Sequence, residues 1–188
     1  VLERMRKEVG FEFRIDGRTL YFVKPGDEKR EVIALELGKD IISFNPRLDT
    51  SGLVSEVEVR AHNPADPANP IIGTAAAGSE RGQEPGKKTG SQIALENYGD
   101  ARLVVSDRGV TTVEQAEALA KSKLDEASSG LIKGDGQCIG IPGIRAGVCI
   151  LLEKLGERFS GKYYVTGATH KINESGYLTD FKVKRNAI

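Results

Sequence analysis

Near its end the chain alternates between two kinds of residue with a period of two. Tyr163, Val165, Gly167 and Thr169 alternate with Tyr164, Thr166, Ala168 and His170. After the turn-forming Asn173-Glu174-Ser175-Gly176, the residues Tyr177, Thr179, Phe181 and Val183 alternate with Leu178, Asp180, Lys182 and Lys184. Successive side chains of a strand point to opposite faces, so the pattern predicts a β-hairpin whose return strand has one apolar and one charged face. A helix cannot use a repeat of two, so this stretch commits its end of the chain to a sheet.

Other segments agree with a mainly β fold. Val32 to Leu37, Ile41 to Phe44 and Leu103 to Ser106 read as strands. So does Val54 to Ala61, where Val57, Val59 and Ala61 face a core against Glu56, Glu58, Arg60 and His62. Gln137 to Ile141 and Ala146 to Leu152 add two more before the closing hairpin, with Pro142-Gly143 and Gly156-Glu157 as turns. One clear helix is predicted. Thr111 with Glu114, or Thr112 with Gln115, forms a capping box, Val113, Ala116, Ala120, Leu124 and Ala127 recur at helical spacing, and Gly130 follows the end. Its narrow, alanine-rich stripe predicts a helix lying close against the outside of a barrel. Asn63 to Gly99, broken by prolines and rich in Gly, Ala, Ser and charge, reads as mostly loop.

At the other end, Leu2, Met5, Arg6 and Val9 fit the tail of a helix closed by Gly10. A hairpin follows, with Asp16-Gly17 as its turn, and this pairs Phe13 with Leu20 and Phe11 with Phe22. Lys24-Pro25-Gly26-Asp27-Glu28-Lys29-Arg30 is a charged linker. The expected organisation is therefore the end of a small α+β domain over 1–30, then a β-barrel or rolled sandwich with one flanking helix over 31–188, carrying a long loop at about 63–99. The chain opens without Met inside a helical pattern, as a piece of a longer protein does.

Lys plus Arg and Asp plus Glu number 27 each among 188 residues, so no basic surplus points to nucleic acid or an anionic membrane. The longest apolar stretch, Val148 to Leu152, is too short to span a bilayer, and the N-terminus lacks the apolar core of a signal peptide. Cys138 and Cys149 have no nearby His or Cys to complete a metal-ligand set and read as small buried strand residues in a reducing compartment. His62 and His170 both fall in strand patterns rather than in a ligand motif. Gly134-Asp135-Gly136-Gln137-Cys138-Ile139-Gly140 has the glycine density of a nucleotide loop, but a strand follows where a helix is needed, so it reads as a turn. Gly82 to Thr89 has the wrong spacing for a phosphate loop and no apolar helix after it. No Gly-x-Ser-x-Gly occurs. No catalytic, cofactor-binding or metal-binding residue is assigned.

Several short motifs carry a family resemblance. Phe159-Ser160-Gly161-Lys162-Tyr163-Tyr164-Val165-Thr166, Thr169-His170, Gly176-Tyr177-Leu178-Thr179-Asp180-Phe181 and Lys184-Arg185-Asn186-Ala187 together resemble the closing signature of the phage late control protein D family. That family supplies baseplate hub proteins of contractile tails and is similar to the N-terminal hub part of the VgrG spike proteins of type VI secretion. Glu8 to Phe13 with Asp16 to Phe22 resembles the end of the hub's middle domain, and Leu37 to Pro46 the opening of its second barrel.

The resemblance implies a structural, non-enzymatic subunit and a homotrimer in the intact protein. Its partners would be a tail tube protein and a separate spike protein, without membrane or specific nucleic acid. It implies a cytoplasmic location before assembly and a virion tail or injection particle afterwards. On the hairpin, Asp180, Lys182 and Lys184 with Arg185 form either an ordinary solvated face or the lining of a lumen or subunit interface. Mixed sign there would keep a lumen wet without gripping DNA. Two other functions are open to such a chain. A cell-wall-degrading tail enzyme would need converging carboxylates. A small single-stranded nucleic-acid-binding barrel would need aromatics interleaved with basic residues, of which Tyr163, Tyr164 and Lys162 are the candidates.

Overall fold

In the computed structural model, which describes residues 10–16, 18–23, 32–63, 66, 68–80, 84, 86–174 and 176–188, short extended runs dominate. The elements are β1 (Glu12–Asp16), β2 (Thr19–Val23), β3 (Ile33–Glu36), β4 (Ile41–Leu48), β5 (Glu56–Ala61), β6 (Ile71–Ala76), α1 (Gly90–Tyr98), β7 (Arg102–Ser106), α2 (Val113–Ser128), β8 (Ile132–Ile139), β9 (Cys149–Glu153), α3 (Gly156–Phe159), β10 (Gly161–Asn173) and β11 (Gly176–Arg185). This is the mainly β fold with a flanking helix that the periodicities predict. The chain divides into two compact units. Val1–Pro25, Thr50–Gln83 and Lys88–Ser128 make one, and Gly26–Asp49, Glu84–Lys87 and Ser129–Ile188 the other. The predicted N-terminal helix tail and the 24–30 linker, where a domain boundary is expected, lie outside the described residues.

In the first unit, α2 lies on the three-stranded sheet β6-β5-β7. Val57, Val59, Ala61, Ile71, Ala75, Val110, Ala116, Leu119, Ala120 and Leu124 form its core. The alanine stripe allows the close approach predicted for it, and Gly73 completes it. A Cβ at Gly73 would stand 2.3 Å from the Ala116 carbonyl carbon, so only glycine lets the helix backbone settle there. The helix start pairs Thr112 with Gln115, one of the two expected combinations, while Thr111 is met by Gln115 rather than by Glu114. The backbone N–H of Gln115 donates to Thr112 Oγ1 at 3.3 Å, and Gln115 Oε1 accepts from the Thr111 N–H at 2.9 Å. On the other face of the sheet the buried Glu58 is held by Arg60 and by Arg102, whose Nη1 is 3.1 Å away.

The first hairpin forms in a different register from the one expected. Phe13 pairs with Phe22 and Ile15 with Leu20, so Asp16, expected in the turn, pairs with Thr19 instead. The shift is even, so the same residues keep their face. Phe11 still meets Phe22, ring centroids 5.3 Å apart.

The second unit is one six-stranded, half-barrel sheet, β3-β9-β10-β11-β8-β4, antiparallel except where β3 runs beside β9. The return strand of the closing hairpin stands as predicted, but the alternation of β10 breaks at a bulge between Val165 and Gly167, which puts Gly167 and Thr169 on the face opposite Tyr163 and Val165. Thr179, Phe181 and Val183 are buried, and Lys182 is exposed. The glycine-rich 134–136 stretch, expected to be a turn, is instead the middle of β8. A Cβ at Gly134 would meet the Phe44 ring at 2.6 Å, and one at Gly136 the Phe181 ring at 2.5 Å. Glycine here makes room for two stacked aromatic rings rather than for a bend.

Residues 63–99, expected to be mostly loop, hold β6 and α1. The helix escapes a periodicity search because its buried residues are only Gly90, Ser91 and Ala94. Its capping box is explicit: Thr89 Oγ1 accepts from the Gln92 N–H at 3.4 Å, and Gln92 Oε1 from the Thr89 N–H at 3.0 Å.

Candidate functional site

Strand register decides which side chains share the solvent face of the six-stranded sheet. Three cross-strand rungs follow from it. Ser43, Gln137, Asp180 and Thr169 make the first, on β4, β8, β11 and β10. Asn45, Asp135, Lys182 and Gly167 make the second, and Arg47, Lys133, Lys184 and Tyr164 the third. A shallow groove runs over the first two.

The sequence suggests a face of mixed sign, but the structure sorts its charges by rung. In the first, Asp180 accepts from Gln137 Nε2 at 2.7 Å and pairs with Lys171 at 2.5 Å. The hydrogen bonds from Lys171 and then Gln137 hold its carboxyl below the usual range. The second rung sets Asp135 opposite Lys182. The third holds three cations and no acid, with Lys184 Nζ 5.4 Å from the centre of the Tyr164 ring.

Asp180, Lys182 and Lys184 thus share one face. Arg185, grouped with them by charge, lies on the opposite, buried face. Its guanidinium, 2% exposed, donates to Glu84 Oε2 at 2.6 Å and to the Ser160 carbonyl at 2.9 Å. It also lies 5.5 Å from the centre of the Tyr163 ring. Alternation predicts this, since 185 follows 179, 181 and 183. Tyr163 is fully buried, so of the aromatic and basic residues named for nucleic acid only Tyr164 and Lys162 reach the outer face.

The other residues weighed for chemistry have structural surroundings. His170 Nδ1 lies 2.9 Å from the Tyr177 hydroxyl and 3.1 Å from that of Thr179. Cys138 and Cys149 are free thiols, and burial, then Asp40 and Asp180, push Cys138 up to about 11, so it is not a nucleophile at neutral pH. A helix does follow the glycine-rich 82–89 segment, but its N-terminus is already occupied. The buried Glu80 accepts from the Ser91 N–H at 3.2 Å and from Ser128 Oγ at 2.9 Å, which supplies the anion that a helix N-terminus favours. Among the described residues no group of three His, Cys, Asp or Glu side chains could hold a metal ion, and no helix is long and apolar enough to cross a membrane.

A family model described as the Alg8 N-terminal domain matches residues 2–174. The chain belongs to the Alg8 N-terminal domain family. No curated protein matches this family member. Its fold, however, is shared with solved structures. The 43 kDa tail protein of prophage MuSo2 from Shewanella oneidensis matches with a TM-score of 0.70 at 16% identity, over 98% of this chain and 53% of that one. The tail protein from Neisseria meningitidis MC58 matches at 0.67 and 12% identity, again over 98% and 53%. Prophage tail protein gp18 from Listeria monocytogenes EGD-e gives 0.57 and 15%, over 98% and 51%. This Alg8 N-terminal domain therefore has the fold of about half of a phage tail protein.

Proposed function

We propose that the chain is a structural subunit of a phage tail or phage-like contractile injection machine, of the hub type that links the tail tube to a central spike. The observation that carries this reading is the fold shared over 98% of the chain with a prophage tail protein. The closing Phe-Ser-Gly-Lys-Tyr-Tyr motif and its companions, which resemble the late control protein D family, support the hub assignment within tail proteins. In this reading residues 1–30 end the hub's middle domain and 31–188 form its second tube-like barrel. The intact protein is a homotrimer whose partners are the tube protein and a separate spike, and it passes from the cytoplasm into the tail. Its work is assembly, with no reaction to perform.

Edge pairing is the physical mechanism. The six-stranded sheet ends at β3 and β4, and the three-stranded sheet at β6 and β7. Strand edges are templates for another chain, and Ile42 on β4 and Val104 on β7 are 55% and 48% exposed beside them. Neighbouring subunits around an axis would satisfy those edges, and the Asp180, Lys182 and Lys184 face would line the lumen. Reversing Lys182 and Lys184 to Glu in the full-length protein should then impair assembly or passage. Unchanged particles would remove the lumen role. This chain alone, with half the length of its structural relatives, should form at most a weak trimer.

A further inference from the structure

We propose that the third rung of the six-stranded sheet, Arg47, Lys133 and Lys184 with Tyr164 at its end, binds the phosphodiester backbone of nucleic acid without regard to sequence. The register sets the three cations directly opposite one another on adjacent strands. Strands lie about 4.8 Å apart, so the charges follow one another over about 10 Å. Like charges facing each other across a ladder destabilise a sheet. Among the described residues none of the three forms an ion pair, whereas Asp180 in the first rung has Lys171. The exposed Lys162 stands two residues from Tyr164 on the same face and widens the basic area, whereas Lys182, two residues from Lys184, faces Asp135.

An anion that relieves this repulsion must offer several negative charges in a row. Nucleic acid does so, and it also offers the π faces that Tyr164 can meet. An acidic peptide would answer the cations but bring no base to stack on the Tyr164 ring beside Lys184, so the aromatic end of the rung favours nucleic acid. The chain's net charge is zero, so any such binding is local rather than a long-range field effect. It requires no assembly around an axis, and either reading can fail while the other stands.

The test is fluorescence anisotropy with a labelled random-sequence oligonucleotide, as single strand and as duplex, titrated with the protein over a range of salt. Both probes should bind at low salt. For the single strand, the logarithm of affinity should fall against the logarithm of salt concentration with a slope of about −2, three cations at roughly 0.7 each. Lys133→Gln should make that slope shallower by about 0.7, while Lys39→Gln, an equal charge change in the turn before β4, should leave it unchanged. Tyr164→Ala should weaken the single strand by about tenfold and the duplex far less. No binding at low salt, or a slope indifferent to Lys133→Gln, would overturn the proposal. So would polyglutamate displacing the oligonucleotide at equal charge concentration, which would assign the rung to an acidic protein segment. Circular dichroism of each variant separates lost binding from lost fold.

Discussion

Arg185 shows how one side chain ties distant parts of its unit together. Its guanidinium is almost wholly removed from water and pairs with the carboxylate of Glu84, whose other oxygen accepts the Lys162 N–H. Removing one partner of such a pair strands a buried charge, whereas removing both does not. Glu84→Gln should therefore cost about 3 kcal/mol in chemical denaturation, and Glu84→Gln with Arg185→Met clearly less than the two single losses summed. Glu80 makes a second prediction. Burial pushes its carboxyl up, but hydrogen bonds from Ser91, its own backbone, Ser128 and Thr89 outweigh that and hold it below 4.5. The folded state therefore binds fewer protons here than the unfolded chain in mild acid. Its contribution is complete above about pH 4.5 and is lost as pH falls through the folded value. Glu80→Gln should lower stability near neutral pH and flatten this acid limb in pH-dependent denaturation. Neither carboxylate's role was legible in the sequence, because Glu84 meets Arg185, and Glu80 meets Ser128, only after the chain has folded. The face of Arg185 was legible, since strand alternation settles which side a residue takes before its charge does.

Among the elements, those with a clean period could be read in advance. The return strand β11, β5 and α2 each bury one regular stripe, so local pattern and tertiary packing agree, whereas in β10 a bulge after Val165 breaks the stripe. Where the two diverge, the sequence misleads. Gly134 and Gly136 look like turn residues, yet they are small because rings from β4 and β11 cross over them. Gly136→Val should force the Phe181 ring aside and cost at least about 1–3 kcal/mol, read as a lower midpoint of denaturation. Gly73→Val should lift α2 from its sheet with a similar loss, because its clash is with helix backbone that cannot rotate away. The first hairpin kept its faces but not its register, since the same apolar residues can pair in either of two frames. The charge sorting of the outer face was hidden for a related reason. Arg47, Lys133 and Lys184 are far apart in sequence, and only cross-strand register makes them one rung.

For the whole molecule, the proposed assembly role rests on sheet edges that other chains could pair with. The sequence carries that through its many short strands and its closing motifs, while strand order, and with it the identity of the edges, emerges only in the fold. A Lys placed on an edge blocks strand addition, so Ile42→Lys should reduce self-association without lowering monomer stability, as sedimentation and denaturation together would reveal. Sedimentation velocity on the intact protein reads directly whether these edges close a ring. A closed trimer is expected. A species that remains monomeric at every concentration, or a tight hexamer, would contradict it.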